Sequence, residues 1–311
     1  MRVLLTGGAG MLGSSIAEVW PTLRPGDELV VVTRADADLT DRAAVAALIE
    51  RTAPDAIVHT AAKVAGIQAK LQRPTDFLLD NLLIDTSVIG GAIAAGVPEL
   101  LYVSSAAIYP EGLPQPIGED ALLRGTLEGA NEGYALAKIA GTKLCEYASR
   151  QYGFAYRAAV PSNLYGPGDD YTHGQAHLIA AALGKVHAAV TSGSDEVEVW
   201  GDGTARREFT YTPDLAAWLV GQLGSLAAWP VTLNLGPGID HSITEYYEAA
   251  GRAAGFTGRF RYDASKPSGV HQRLLDSAAA RALGWNPTTP LAAGVAASYH
   301  AYLAAQEPQT S

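Results

Sequence analysis

A glycine pattern near the amino terminus constrains the fold of this chain more than any other feature. The letters TGGAGMLG occupy residues 6–13, between a β-type run at 2–5 and a helical segment that begins at Ser14. In such a strand, turn and helix, Gly7 permits the tight turn, Gly10 lets the backbone approach a pyrophosphate, and Gly13 allows close packing of helix against strand. The helix N-terminus would hold the phosphates. The pattern predicts a dinucleotide-binding βαβ unit, with Met11 and Leu12 also facing the cofactor.

Short β-branched runs alternate with alanine-rich helical segments over the first half of the chain. The runs lie at 2–5, 29–33, 56–59 and 100–104. Because alternating strands and helices build a parallel sheet that is covered on both faces, we predict an α/β fold with a Rossmann-type doubly wound parallel sheet.

Turn clusters after about residue 163 indicate a second domain. Segments rich in glycine, proline, serine and aspartate lie at 166–170 and 192–195. We expect the dinucleotide-binding domain to comprise 1–163 together with about 205–236. A smaller C-terminal α/β substrate domain would comprise 164–204 and 237–311.

Composition and charge exclude several classes of protein. The 311 residues are 48% hydrophobic and carry a formal net charge of -10, which favours a compact globular protein and argues against a nucleic-acid partner. The single cysteine, Cys145, allows neither an internal disulfide nor a thiolate metal cluster, and no metal is expected. We interpret the apolar stretches as too short for a membrane span and the amino terminus as lacking a signal peptide, so a cytoplasmic protein without a membrane partner is expected.

The segment after the second predicted strand indicates which dinucleotide binds. An arginine there holds the 2'-phosphate of NADP, whereas an acidic residue holds the 2'-hydroxyl of NAD. Arg34 favours NADP(H), and the neighbouring Asp36 leaves NAD(H) open. Asp38 and Leu39 are candidates for contacts on the adenine side.

A tyrosine and a lysine four residues apart provide the candidate chemistry. Tyr134 and Lys138 share one face of a predicted helix, so the ammonium can lie near the phenol and the cofactor ribose. A fixed cation favours the phenolate, which predicts a lowered pKa and a role for Tyr134 as general acid. Ser105 ends the fourth β run at the ligand-binding edge of the sheet and can donate to the same carbonyl oxygen.

Together these residues resemble the extended short-chain dehydrogenases/reductases, and within them the GDP-L-fucose synthase (GDP-4-keto-6-deoxymannose 3,5-epimerase-4-reductase) family. The stretches that carry the resemblance are HTAAKVAGI at 59–67, NEGYALAKIAGTKLCE at 131–146, NLYGP at 163–167, VWGDGTARREF at 199–209 and DASKPSGVHQRLLD at 263–276.

The resemblance implies roles for individual positions. It makes Ser105, Tyr134 and Lys138 the reduction triad and His177 an acid/base group for epimerisation. Further cofactor contacts are implied for Ala61, Ala62, Lys63, Pro161, Asn163 and His177. Contacts to the nucleotide sugar are implied for Ser105, Ala106, Ala107, Asn163, Lys185, Trp200, Arg207 and Lys266. A homodimer, formed through helices such as the one that holds Tyr134, is also implied.

One departure from the family pattern bears on the reaction. The family reads Gly-Ser-Ser-Cys-Ile-Tyr-Pro and uses the cysteine to exchange protons at C3 and C5, but Ala107 stands in its place here. A methyl group cannot transfer a proton. Cys145 lies eleven residues after Tyr134, roughly 16 Å along a helix, and is expected to serve in packing.

The sequence therefore predicts an NADPH-dependent 4-ketoreductase for a GDP- or dTDP-linked 4-keto-6-deoxyhexose, without 3,5-epimerase activity. For His177, assistance in one proton transfer, a hydrogen bond to a sugar hydroxyl and a structural role all stay open. The alternatives are a full epimerase-reductase, a 4-epimerase or dehydratase that retains NAD, and an NADP sensor without catalysis. UDP also stays open as the nucleotide.

Overall fold

The computed structural model describes residues 1–172, 176–266 and 269–306. The α-helices of this part of the chain are α1 (Met11–Leu23), α2 (Arg42–Thr52), α3 (Ile67–Gln72), α4 (Pro74–Ala95), α5 (Glu132–Tyr152), α6 (Leu178–Ser192), α7 (Thr212–Gln222), α8 (Ile243–Ala254), α9 (Ala278–Ala282) and α10 (Leu291–Gln306). The strands are β1 (Arg2–Thr6), β2 (Glu28–Val32), β3 (Ala56–His59), β4 (Glu99–Val103), β5 (Ala155–Pro161), β6 (Asn163–Tyr165), β7 (Glu196–Trp200), β8 (Arg206–Tyr211), β9 (Thr232–Leu235), β10 (Asp240–Ser242), β11 (Arg259–Asp263) and β12 (Gln272–Arg273).

Six strands form a wholly parallel central sheet in the order β2-β1-β3-β4-β5-β9. The predicted parallel sheet is confirmed, and its first four strands lie within one residue of the predicted runs at each end. The strand order reverses between β1 and β3, and ligands bind parallel sheets at such a switch point.

Helices cover both faces of this sheet, as the sequence predicts. Val3 and Leu5 point into one core, which is shared with α1 and α7, whereas Leu4 points into a second core shared with α2, α4 and α5. This follows from the alternation of side chains along a strand, because both faces of β1 must be apolar.

The helix α4 corrects one expectation. Its 22 residues are long and apolar enough to cross a membrane by length and composition, although the sequence analysis judged all apolar stretches too short. The helix packs against α2 and α5, and its Asp85 is buried at the sheet. These contacts are those of a helix that covers a protein core.

Smaller sheets form beyond the central one. Strand β8 pairs with β6, β10 and β12, and β7 pairs with β11. Helices α6, α8 and α10 contribute to a separate core with these strands. Although β8 lies within the 205–236 segment assigned to the dinucleotide domain, its partners belong to this smaller part, so the predicted domain boundaries stay a prediction.

Candidate functional site

A large cleft, of about 1660 Å³, runs between the carboxyl edge of the central sheet and the smaller sheets. It begins at the glycine-rich turn and ends near α6 and β7. All but one of the candidate site residues line it, the exception being Lys266. The cleft therefore brings together side chains that are up to 200 positions apart in the sequence.

The glycine-rich turn requires glycine at two of the predicted positions. Gly7 has a φ of +78°, and a Cβ there would lie 2.6 Å from the backbone nitrogen of Ala61. A Cβ on Gly13 would lie 2.2 Å from the carbonyl oxygen of Gly7. Both distances are shorter than a real contact, so this backbone is shaped for close approach between β1, α1 and the loop after β3. The cradle fits the diphosphate of a dinucleotide at the N-terminus of α1.

The segment directly after β2 contains one arginine and two aspartates, which differ in whether they face the cleft. Arg34, Asp38 and Leu39 line the cleft, whereas Asp36 does not. Asp36 instead accepts hydrogen bonds from the backbone and the hydroxyl of Thr33, both at 2.8 Å. Since Asp36 closes its own turn, Arg34 is the cation of this segment that can bind a phosphate in the cleft.

The loop after β3 lines the cleft mainly with backbone atoms, because the charge of its lysine is paired elsewhere. Ala61, Ala62 and Lys63 line the cleft. The Lys63 ammonium is bound to Asp80 at 2.6 Å, and the Lys63 backbone N–H donates to the Asn81 side chain at 2.8 Å. These bonds order the loop beside the glycine turn.

Tyr134 and Ser105 meet at the centre of the cleft. Tyr134 is buried on the first turn of α5, and the Ser105 side chain lies close enough to its phenol to influence its pKa. Burial raises the pKa of Tyr134, the Ser105 hydroxyl opposes this rise, and the negative charge of Asp85 adds to it. The predicted lowering of this pKa is therefore wrong, because desolvation of the phenolate dominates. A phenol that stays protonated is still a proton donor.

Lys138 shares the helical face of Tyr134 but has a carboxylate partner that sequence reasoning missed. Its ammonium lies 3.5 Å from Oδ1 of Asp85 and donates to the carbonyl oxygen of Val103 at 3.2 Å. Burial lowers the pKa of Lys138, and Asp85 opposes that shift. The predicted helix and spacing are confirmed. The positive charge of Lys138 is balanced by the buried carboxylate of Asp85.

Asp85 also binds two other buried side chains. Its carboxylate contacts His59 Nε2 at 3.1 Å and accepts a hydrogen bond from the Tyr102 hydroxyl at 2.5 Å. Burial lowers the pKa of His59 and favours its neutral form. Burial alone would raise the pKa of Asp85, but Lys138, His59 and Tyr102 together hold it below its usual value. The network thus keeps one carboxylate ionised beneath the site.

Another part of the cleft is formed by the segments that follow β4 and end β5, and by His177 of the smaller part. Ser105, Ala106, Ala107, Pro161 and Asn163 line it. His177 precedes α6 and also lines the cleft. Burial and the nearby charge of Lys70 lower the pKa of His177 to about 4, so this imidazole is neutral near pH 7.

The far end of the cleft holds cations and an indole ring. The Lys185 ammonium lies 5.0 Å from the centre of the Trp200 ring and donates to the carbonyl oxygen of Glu198 at 3.0 Å. Arg207 also lines the cleft, near Glu128 and Arg273. Lys266 lies outside the lining, with its ammonium 6.0 Å from the Trp200 ring. These groups can hold a nucleotide diphosphate in a protein that is acidic overall.

Comparison with known proteins places this arrangement in a family. Residues 3–236 match the model of the NAD dependent epimerase/dehydratase family. The chain belongs to this family. It is 38% identical over 306 residues to a GDP-L-fucose synthase of Azorhizobium caulinodans, with 98% of this chain and 97% of that protein covered.

Solved structures of the same kind agree closely with this epimerase/dehydratase family member. A GDP-6-OMe-4-keto-L-xylo-heptose reductase from C. jejuni matches with a TM-score of 0.90 and 27% identity, covering 98% of each chain. A GDP-mannoheptose C4 reductase from Campylobacter jejuni with NADP bound matches with a TM-score of 0.85 and 28% identity, covering 97% of this chain and 98% of that one.

Sequence reasoning missed three further charged residues in or beside this cleft. Lys70, Glu128 and Arg273 all line it. Arg273 is buried, donates to the carbonyl oxygen of Ala106 at 2.9 Å, and lies 3.7 Å from Glu128. Arg273 lies in the stretch 263–276 that carries the family resemblance, but no quoted motif includes Lys70 or Glu128, and only the fold brings the three together.

Neither a metal-binding cluster nor the cysteine belongs to the candidate site in the described residues. Within residues 1–172, 176–266 and 269–306, no three His, Cys, Asp or Glu side chains are grouped so as to hold a metal ion. Cys145 is fully buried in the core between α5 and the sheet, and burial raises its pKa. Its predicted role in packing is confirmed.

Proposed function

We propose that this protein is an NADPH-dependent 4-ketoreductase for a GDP-linked 4-keto-6-deoxyhexose, and that it reduces the ketone without epimerising C3 or C5. The observation that carries the proposal is the meeting of Tyr134 and Ser105 in one cleft between the glycine-rich turn and the cations at Lys185 and Arg207. Relatives that are named as GDP-sugar synthases or GDP-sugar reductases support GDP over dTDP and UDP.

The residues present fit NADP(H). The glycine cradle of Gly7, Gly10 and Gly13 would hold the diphosphate beside Met11 and Leu12, and Arg34 would bind the ribose phosphate. When bound, the reduced nicotinamide supplies a hydride for the sugar carbonyl. Ala61, Ala62, Lys63, Pro161, Asn163, Asp38 and Leu39 would complete the binding surface.

The protein's own contribution is to polarise the ketone and to deliver a proton. Ser105 donates a hydrogen bond to the carbonyl oxygen, and Tyr134 donates a hydrogen bond and then its proton as negative charge develops there. Lys138 would orient the cofactor ribose from its seat on Asp85. Burial of Tyr134 excludes water from the proton transfer.

Epimerisation at C3 and C5 requires acid/base groups that can reach those carbons. Ala107 lines the cleft beside Tyr134 with a methyl group, which transfers no proton. His177 is neutral and can accept a hydrogen bond from a sugar hydroxyl. We therefore assign His177 to sugar binding in this reaction.

The experiment that tests the proposed function uses purified protein, NADPH and 4-keto-6-deoxyhexoses linked to GDP, dTDP or UDP, in deuterated water. We expect NADPH oxidation that is fastest with the GDP sugar, and an NMR spectrum of the product without solvent deuterium at C3 or C5. Deuterium at either carbon would show an epimerase-reductase. Protein that is purified with tightly bound NAD and converts the sugar without net NADPH oxidation would be a 4-epimerase or dehydratase instead. Cofactor binding without turnover of any sugar would indicate a sensor.

We further propose a cytoplasmic homodimer that binds neither nucleic acid nor membranes. Helices α4 and α5 pack side by side and expose Leu79, Leu83, Leu136 and Tyr147. An apolar surface on two adjacent helices is suited to pairing with its own copy.

A further inference from the structure

Lys70 is a buried cation at the catalytic tyrosine. It lies on the short helix α3 and is only 9% exposed. Its ammonium donates to Oδ1 of Asn131 at 2.9 Å and lies 4.6 Å from the centre of the Tyr134 ring. The face of the phenol therefore has a positive charge against it.

This charge has no direct ionic partner in the described ranges 1–172, 176–266 and 269–306. Lys70 forms a salt bridge with no carboxylate there within 4.0 Å, and Glu128 acts on it only at longer range. Burial lowers the pKa of Lys70 to about 8, and Glu128 opposes that shift. Burying an unpaired ammonium costs folding free energy, and perturbed groups of this kind concentrate at functional sites.

The two lysines near the phenol are placed differently. The Lys138 ammonium contacts Asp85, the Val103 carbonyl and, at 4.6 Å, the ring of Tyr102. The Lys70 ammonium contacts the ring of Tyr134 itself. A cation over an aromatic face is attracted by the ring electrons, and the attraction grows when the phenol loses its proton and the ring becomes negative. The interaction of Lys70 with this ring therefore strengthens during proton donation.

We propose that Lys70 is a positioning residue for the reduction, and that its ammonium stabilises the phenolate formed when Tyr134 donates its proton to the substrate oxygen. The O–H bond of Tyr134 breaks, the substrate alkoxide takes the proton, and the negative charge is left on the phenolate oxygen and is partly delocalised into the ring that Lys70 contacts. This role rests on the proposed ketoreductase function.

Other charged groups face Lys70 from the elements packed around it. Glu128 lies before α5, and Asn131 Nδ2 donates to its carboxylate at 2.9 Å. His177 precedes α6 and stays neutral beside Lys70. Arg207 and Arg273 both interact with Glu128, and Asp85 acts on Tyr134 from beneath. Because only Lys70 among these groups has a pKa close to 8, its loss of a proton should dominate the pH dependence of the reduction just above neutrality.

The test compares Lys70→Arg and Lys70→Met with the unchanged protein, using kcat/KM for NADPH oxidation with the GDP-linked ketosugar as a function of pH. In the unchanged protein we expect kcat/KM to fall as pH rises through about 8. In Lys70→Arg, the guanidinium keeps its charge, so this fall should move to higher pH. In Lys70→Met, kcat/KM at neutral pH should drop by about tenfold or more, without the fall near pH 8 and with unchanged affinity for NADPH.

The control is Lys143→Met, which removes an ammonium from the same helix as Tyr134, where it is paired with Glu146 and does not line the cleft. It should leave the pH profile unchanged. An unchanged protein that oxidises NADPH, together with a Lys70→Met variant of the same rate and profile, would overturn the role of Lys70 alone. An unchanged protein inactive with every ketosugar would overturn the proposed function instead.

A second measurement does not depend on activity. In protein labelled at its lysine side chains, NMR titration should place the pKa of Lys70 near 8, and replacement of Tyr134 by Leu should lower it, because the ring that favours the ammonium is gone. An equal pKa in both proteins would show that ammonium and ring are not coupled and would overturn the proposal.

Discussion

The ammonium of Lys138 lies 3.5 Å from the carboxylate of Asp85, and both side chains are almost completely buried. This pair stands between the candidate active site and the core of the central sheet. It links the tyrosine and lysine motif on α5 to Asp85 on α4, which belongs to no recognised motif. The candidate site therefore has a buried carboxylate next to its lysine.

Replacement of Asp85 by Asn should destabilise the fold strongly. The change leaves Lys138 buried without its counter-charge, which costs about 3–5 kcal/mol of unfolding free energy. Urea unfolding of the purified variant measures this. Glu146→Gln breaks the partly exposed pair with Lys143 and should cost no more than about 1 kcal/mol. Equal midpoints for the two variants would contradict a stabilising role of the buried pair.

Replacement of Tyr134 by Phe should remove the proton donor while keeping the ring. We expect turnover to fall by about 10²–10⁴ because general acid catalysis is lost. NADPH binding, followed by its fluorescence, should change little. A Phe variant that turns over at the original rate would show that Tyr134 is not the acid.

Replacement of Arg34 by Ala should change the choice of cofactor. Arg34 lines the cleft where a 2'-phosphate would lie, whereas Asp36 is bound to Thr33. Loss of a charge-assisted hydrogen bond to phosphate costs about 1.5–3 kcal/mol, so the KM for NADPH should rise by about tenfold or more while that for NADH barely changes. Arg42→Ala, at the start of α2 and not in the cleft lining, is the matched control and should leave both values unchanged.

Glu208 should make stability depend on pH. Burial raises the pKa of Glu208 to about 7. The hydrogen bonds that its carboxylate accepts from the backbone N–H groups of Leu275 and Gly238 lower the pKa but only partly offset this rise. The folded state therefore binds this proton more tightly than the unfolded state. The contribution to stability is complete below about pH 4.5 and is lost as pH rises through about 7.

The measurement is the difference in unfolding free energy between the unchanged protein and Glu208→Gln, followed from pH 4.5 to 8. The variant is expected to be less stable at low pH, since an amide cannot accept both backbone hydrogen bonds, and the difference should shrink as pH rises. Glu248→Gln, on an exposed face of α8, should show no such trend. A constant difference for Glu208→Gln would refute the shifted titration.

Replacement of Leu79 by Glu should convert the proposed dimer into a monomer. Leu79 is 51% exposed on α4, one helical turn from the exposed Leu83, and α4 packs against α5, which exposes Leu136. A carboxylate at a buried interface is unpaired and costly, so light scattering should give half the mass of the unchanged protein. Ile239→Glu, at a residue that is 61% exposed elsewhere, should leave the mass unchanged. A monomeric unchanged protein would refute the dimer.

The amino-acid sequence by itself determined the parallel sheet, the glycine turn and the helix that carries Tyr134 and Lys138. These features depend on contacts between residues that are near each other in the chain, such as the alternation of buried side chains along β1 and the spacing of one helical turn. The packing role of Cys145 also followed from its distance along α5.

Only the tertiary structure decided the charges around the phenol. Asp85 and Lys70 come from separate helices, and no local pattern shows that both converge on Tyr134, or that Glu128 lies near Lys70. For the same reason the sign of the Tyr134 pKa shift was wrong in the sequence analysis, since the loss of water around a buried phenol is set by the whole fold and outweighs one neighbouring cation.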